Sequence, residues 1–534
     1  RNDRCAAAGG GRGRPEFFCL NQSNAQVPAK AGTSLLENSR WNLVAFACGL
    51  MANFITIPFV VRWTSLDIFG QAGLVLAVCA PLMLVGTVLG QALVREMSSR
   101  LGAGEQIVAD RTVDAALRLC LMASAVGWVL LVVCGPWITN LLTQKEAHSQ
   151  SLALAFLIAA TGWFTQQFAL VLQSTCAARQ DFRSIAKVAA FSALAGIAST
   201  LGITWVLPTL EGYLCGVAIG FGLSFGCWLF TLRHDVRWRN VFRGDRKPEQ
   251  AALLHFGKWQ GLAQLAGAVG NQIDRYALAA FAPVAIVGQY NVANRLQEAA
   301  YIGVVKAGEV LFPRFGSLSS NSVQERCRFF QAASWVMGTF SAALLAPLVP
   351  LADAVLTLWV GAAASNGGAQ LLSTLVLGGI VGAGSNVFVY YAMGIGRNAP
   401  VAFISVMYSI ITVAFTVLLI KTFGPLAAGM GLLVASVARV AVSLVITQRN
   451  FFPQLPCGEL VVSSVLPLAV GIFIALAAQK NGLGNIHGWI HLIVLYAALG
   501  IAVVAATVAM TALVKSGRKI LLQIYLFLRS SLTR

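Results

Sequence analysis

Apolar runs of about 20 residues, each long enough to cross roughly 30 Å of hydrocarbon as a helix, recur fourteen times along the chain. They fall near 41–61, 69–93, 113–134, 152–174, 188–206, 212–232, 259–281, 287–312, 329–349, 371–391, 401–420, 426–447, 460–478 and 490–513. Short polar stretches separate them, and the seventh and eighth are the least apolar. None shows the two-residue alternation of an outer-membrane strand. The pattern predicts an all-α polytopic membrane protein of about 14 transmembrane helices.

Composition agrees. Of 534 residues 57% are hydrophobic and only 11% charged, where a soluble protein carries about 25%. The net charge of +18 raises nucleic acid as a partner, but the placement of the cations excludes it. Of 38 Lys and Arg residues, 29 lie in the two tails and the even-numbered loops, 4 in the odd-numbered loops and 5 inside spans. That bias is the positive-inside rule, and it predicts both termini on the cytoplasmic side. The basic segment 233–247 then faces the anionic leaflet, making membrane lipid its partner. Residues 1–40 lack periodicity and read as a disordered cytoplasmic tail without a cleavable signal. The 11 Cys are scattered with no CxxC spacing, which predicts neither a disulfide framework nor a metal site.

An offset of 218 positions lays the first two spans on the seventh and eighth. Gly49, Asn53, Ile55, Gly70, Gln71 and Leu93 then match Gly267, Asn271, Ile273, Gly288, Gln289 and Leu311. Six spans separate the copies, so both keep one orientation, the parallel repeat in which substrate sites form between halves. The expected organisation is a tail at 1–40, a six-helix lobe at 41–232, a basic linker at 233–258, a second six-helix lobe at 259–447, two additional helices at 460–513 and a basic tail at 514–534.

Charges within these spans mark the candidate site, because an ionised residue at mid-membrane costs about 2.5–3.5 kcal/mol even on insertion scales. On a helical wheel, Asn291, Arg295, Glu298, Lys306 and Glu309 share an arc of roughly 80° on the eighth span. Gln260, Gln264, Asn271, Asp274 and Arg275 group likewise on the seventh, and Asn42, Gly49, Asn53 and Thr56 more mildly on the first. Simple i,i+3 pairing of Arg295 with Glu298 and Lys306 with Glu309 is one explanation. A wet seam between two half-transporters is the other, and intramembrane ionisable residues favour it. Arg275, Arg295 and Lys306 suit phosphate oxygens, with Asn53, Asn271, Asn291 and Gln264 available for hydroxyl groups. Asp274, Glu298 and Glu309 would serve as charge partners or in ion coupling.

The stretches "FVVRWTSLDIFGQAGLVLAV" at 59–78, "LGQALVREMSSRLG" at 89–102, "NQIDRYALAAFAPVAIVGQYNVANRLQEA" at 271–299 and "LFPRFGSLSS" at 311–320 carry a resemblance over roughly 38–515. The chain resembles polysaccharide transporters of the O-antigen flippase (Wzx-like) type, within the multidrug/oligosaccharidyl-lipid/polysaccharide (MOP) exporter superfamily. The resemblance implies a V-shaped pair of six-helix bundles with a cationic central cavity in the cytoplasmic membrane of a bacterium. The cargo it implies is a polyprenyl-pyrophosphate-linked oligosaccharide for O-antigen, capsule or exopolysaccharide, with a glycan polymerase as a further partner. Pro58 and Pro313 would allow the bends that rocking of the bundles requires.

The rivals are a peptidoglycan-precursor flippase, a multidrug or cation antiporter, and a membrane polymerase or glycosyltransferase. An antiporter for organic cations favours an acidic, aromatic cavity. An enzyme would carry paired carboxylates in its long outer loops, which here hold only Glu146 and Asp353. His487 and His491 lack the Glu of a metalloprotease helix, and "GGGRGR" at 9–14 lacks the Lys of a phosphate loop, so no cofactor is expected.

Overall fold

The computed structural model describes residues 35–143, 149–233, 247–255, 261, 264, 272–309, 311–318, 322–397, 399–482, 486 and 488–532. The expected tail is therefore outside the described residues up to position 34, as are most of the linker, Asn271 and His487. Among the described residues there are helices and no strand.

The N-terminal part contains α1 (Leu35–Trp63), α2 (Leu66–Cys79), α3 (Leu84–Gly102), α4 (Gln106–Thr143), α5 (Ser149–Ala178), α6 (Phe182–Val206) and α7 (Leu210–Thr231). Short polar residues start these helices by accepting otherwise unpaired N–H groups. Ser65 accepts from Ile68 N at 3.2 Å, Asp181 from Ser184 N at 3.1 Å and Thr209 from Gly212 N at 3.1 Å. α2 and α3 form one span of 36 residues interrupted by a 3-10 turn at Ala80–Met83. Pro81 explains the interruption, since its ring supplies no N–H to the ladder. Gly216 lets α7 press on α6, where a Cβ would stand 2.6 Å from Thr200 Cα. Small residues at such crossings are the usual basis of packing between membrane helices.

The remainder contains α8 (Ile273–Phe281), α9 (Val284–Gly308), α10 (Leu311–Ser317), α11 (Val323–Leu345), α12 (Ala352–Trp359), α13 (Ala362–Ser365), α14 (Gly368–Ala383), α15 (Asn386–Gly394), α16 (Ala399–Phe423), α17 (Leu426–Ile446), α18 (Cys457–Ser464), α19 (Leu466–Asn481), α20 (Gly488–Leu513) and α21 (Lys515–Leu532). The sequence at 514–534, expected as a basic tail, is thus helical over most of its length. Its Ile520 is buried and its Lys519 pairs with Glu459 of α18 at 3.6 Å.

Ten described helices or helix pairs are long and apolar enough to span a membrane, or eleven counting the bent pair α18 and α19. They correspond to expected spans two to six, nine to twelve, fourteen and, for the bent pair, thirteen. α9 has the length of a span but a low mean hydropathy, which reflects the polar face read from its sequence. The chain is a multi-pass membrane protein.

Two apolar clusters draw their buried residues from 72–253 and a third mostly from 277–503, with Ile57, Val60, Phe69 and Leu74 of α1 and α2 joining the third. That junction lies at the N-terminal ends of α2 and α9. There α2 meets α9 backbone to backbone: a Cβ on Gly70 would lie 2.4 Å from Val284 O, and one on Gly288 would lie 2.1 Å from Leu66 O. The contact is reciprocal at the 218-residue offset, since 66 maps to 284 and 70 to 288. Trp359 of α12 reinforces the same end, stacking on Phe54 at 4.6 Å and donating to Phe54 O at 2.9 Å.

Candidate functional site

Asp274 and Arg275 occupy the first turn of α8, and the two side chains take different directions. An acidic residue there suits the positive end of the helix. Asp274 accepts from the Arg275 backbone N–H at 2.9 Å and from the Tyr290 hydroxyl of α9, so its carboxylate ties α8 to α9. Arg275 is 8% exposed and lines a cavity. Its guanidinium donates to Gln272 and lies 3.9 Å from Glu298, while its Nε is buried without a hydrogen-bond partner.

That cavity has a volume of 640 Å³ and lies between the N-terminal helices on one side and α8 and α9 on the other. A recess of 330 Å³ adjoins it and shares Arg295 and Glu298. Glu298 is the hub: it lies 3.4 Å from Arg295, 3.9 Å from Arg275, and accepts from Asn294 at 2.8 Å. Asn291 also lines the cavity, is 5% exposed and has an unpartnered Nδ2. It fits because the facing residue is Gly73, where a Cβ would be 2.0 Å from that nitrogen.

The structure therefore brings Arg275, Asn291, Arg295 and Glu298 to one cavity, with Asp274 behind them. It does not bring the others there. Lys306 pairs with Glu309 at 2.7 Å, eleven residues beyond Arg295 and so roughly 16 Å along the helix. Neither residue lines the cavity. Gln264 donates to Gln91 at 2.8 Å, beside a separate recess of 400 Å³ that includes Gln91, Arg95 and Gln173. The side chain of Asn53, like Asn271, lies outside the described residues.

Sequence reasoning missed the opposite wall, where Trp163 and Gln166 of α5, Ser192 and Thr200 of α6, and Tyr213 and Ser224 of α7 line the cavity. A signal was present. Ser192, Gly196 and Thr200 repeat every fourth residue, and Tyr213, Val217, Gly220 and Ser224 follow i, i+4, i+7 and i+11. Each is one face of a helix, made of small or uncharged polar side chains.

The bundle of membrane helices folded around this cavity is similar in fold to solved transporters of the MOP superfamily. The structure of the lipid II flippase MurJ in an inward closed conformation is similar, with a TM-score of 0.66 at 12% identity over 89% of this chain and 98% of that one. A multidrug resistance MATE family transporter of the MOP superfamily in its inward-facing conformation gives 0.65 at 14% identity, over 80% and 96%. A transporter of the same description in its outward-facing conformation gives 0.54 at 13% identity, over 78% and 95%. By sequence, the profile of the polysaccharide biosynthesis protein family matches residues 35–319, more than half of the chain, and the chain belongs to that family. No curated protein matches it in sequence.

Proposed function

We propose that the protein is a flippase that carries polyprenyl-diphosphate-linked oligosaccharide units across the cytoplasmic membrane of a bacterium, serving O-antigen, capsule or exopolysaccharide assembly. The observation that carries this reading is Arg275, a buried guanidinium on a cavity wall with its Nε unpartnered and Arg295 nearby. A buried charge is costly unless paired, and a planar fork of N–H donors matches phosphate oxygens in bidentate fashion. Family membership and a fold shared with a lipid II flippase support the same cargo class.

In this reading 41–232 and 259–447 are the two rocking bodies, with both termini cytoplasmic. The charge bias of the loops then puts the Gly70–Gly288 end outside, so the cavity belongs to an inward state. The higher TM-score against the inward-facing transporter, 0.65 compared with 0.54, agrees with that assignment. The diphosphate would meet Arg275 and Arg295 while the polyprenyl tail stays in lipid.

A leaflet-accessibility assay in reconstituted vesicles tests the proposal. Wild type is expected to expose a polyprenyl-diphosphate oligosaccharide on the far leaflet, and Arg295→Ala to slow exposure by about tenfold or more, since a charge-assisted hydrogen bond contributes roughly 1.5–3 kcal/mol. Lys306→Ala, outside the cavity, is expected to lose less. A wild type that leaves the lipid in place but extrudes an organic cation would establish the antiporter instead.

A further inference from the structure

We infer that the two walls of the central cavity divide the cargo, the α8–α9 wall taking its phosphates and the α5–α7 wall forming a binding surface for its neutral sugar units. The inference rests on the phosphate reading above. Its first support is the distribution of charge. Among the described residues lining the 640 Å³ cavity, the charged ones are Arg275, Arg295 and Glu298, all on α8 and α9. The 218-residue offset sharpens the contrast: Arg275, Asn291, Arg295 and Glu298 map to Ile57, Gly73, Ala77 and Ala80, and each of those four lines the same cavity. Those four polar residues thus have apolar counterparts at the matching positions, on α1, α2 and the 3-10 turn that follows α2.

The α5–α7 wall is neutral without being merely apolar. Trp163 is 2% exposed and its indole N–H has no partner. The Gln166 amide lines the cavity with two donors and an acceptor to offer a ligand. Ser192 and Ser224 bond to each other at 2.9 Å across α6 and α7, each hydroxyl keeping acceptor capacity. A phosphate placed on this wall would find no cation. Sugar hydroxyls suit it, because amide and hydroxyl groups satisfy them at no charge cost and aromatic faces cover the ring.

The test uses the full chain in nanodiscs of phosphatidylethanolamine and phosphatidylglycerol and two probes, a polyprenyl diphosphate and the same lipid bearing a neutral N-acetylated trisaccharide. Wild type is expected to prefer the sugar-bearing probe by about tenfold or more, the equivalent of one or two satisfied hydrogen bonds. Gln166→Ala and Ser224→Ala are each expected to remove most of that preference while binding the sugar-free probe within about twofold of wild type. Arg295→Ala should weaken both probes. If Gln166→Ala does not fold, Ser224→Ala carries the test from another helix. Variants that keep the preference, or weaken both probes equally, overturn the division of the walls and leave the phosphate reading intact, provided Arg295→Ala still weakens both. A wild type that binds neither probe overturns the phosphate reading and this inference with it.

Discussion

Adjacent Asp274 and Arg275 illustrate how one turn of helix serves two purposes. Asp274 spends its carboxylate on structure, accepting from a backbone N–H and from Tyr290, which is fully buried. Arg275 faces the cavity. Tyr290→Phe should therefore lower stability by about 1–3 kcal/mol, because it strands one oxygen of a half-buried carboxylate. Thermal unfolding in detergent would register the loss, and an unchanged midpoint would show that the bond is dispensable. The charges themselves were legible in the sequence, since ions in apolar runs stand out. Their partners were not: the tie from Asp274 to Tyr290 spans two helices, and no wheel drawn on one helix contains it.

At the scale of helices, the sequence predicts a single polar face on the eighth span, and of that face Asn291, Arg295 and Glu298 line the cavity while Lys306 and Glu309 do not. A wheel collapses the axis, so Arg295 with Glu298 and Lys306 with Glu309 look equivalent although they lie about 16 Å apart. The neutral wall was harder to see because Ser, Thr, Gln and Tyr hardly interrupt hydropathy. Crossings leave clearer marks. Gly70→Ala and Gly288→Ala would each force a Cβ into a backbone carbonyl of the partner helix, and both are expected to shift the protein toward states with that end parted. Spin-label distances across α2 and α9 would show it as a longer population. Gly226→Ala, where nothing lies within 4 Å, should leave the distances unchanged.

For the whole molecule, helical class and the places of the ten or eleven described spans followed from run length, the most robust signal a membrane protein offers. Orientation rests on the loop cations and has a direct check. Cys457 is the exposed cysteine among those described, and it falls in an even-numbered loop. With Cys5 and Cys19 replaced by Ser, an impermeant maleimide added to intact cells should label Cys457 only after permeabilisation. Labelling of intact cells would invert the topology.

The reciprocal touch of Gly70 and Gly288 has the form of an isologous interface, the geometry by which a symmetric homodimer joins. In a true homodimer any substitution appears on both sides of the axis at once. Arg275 would then face a second Arg at position 57, and Glu298 a second Glu at position 80, doubling like charge in one chamber. Joining the two copies in a single chain removes that constraint. The axis keeps its matched glycines, while Ile57 and Ala80 stay apolar opposite a charged wall, so the protein holds a symmetric joint around an asymmetric chamber.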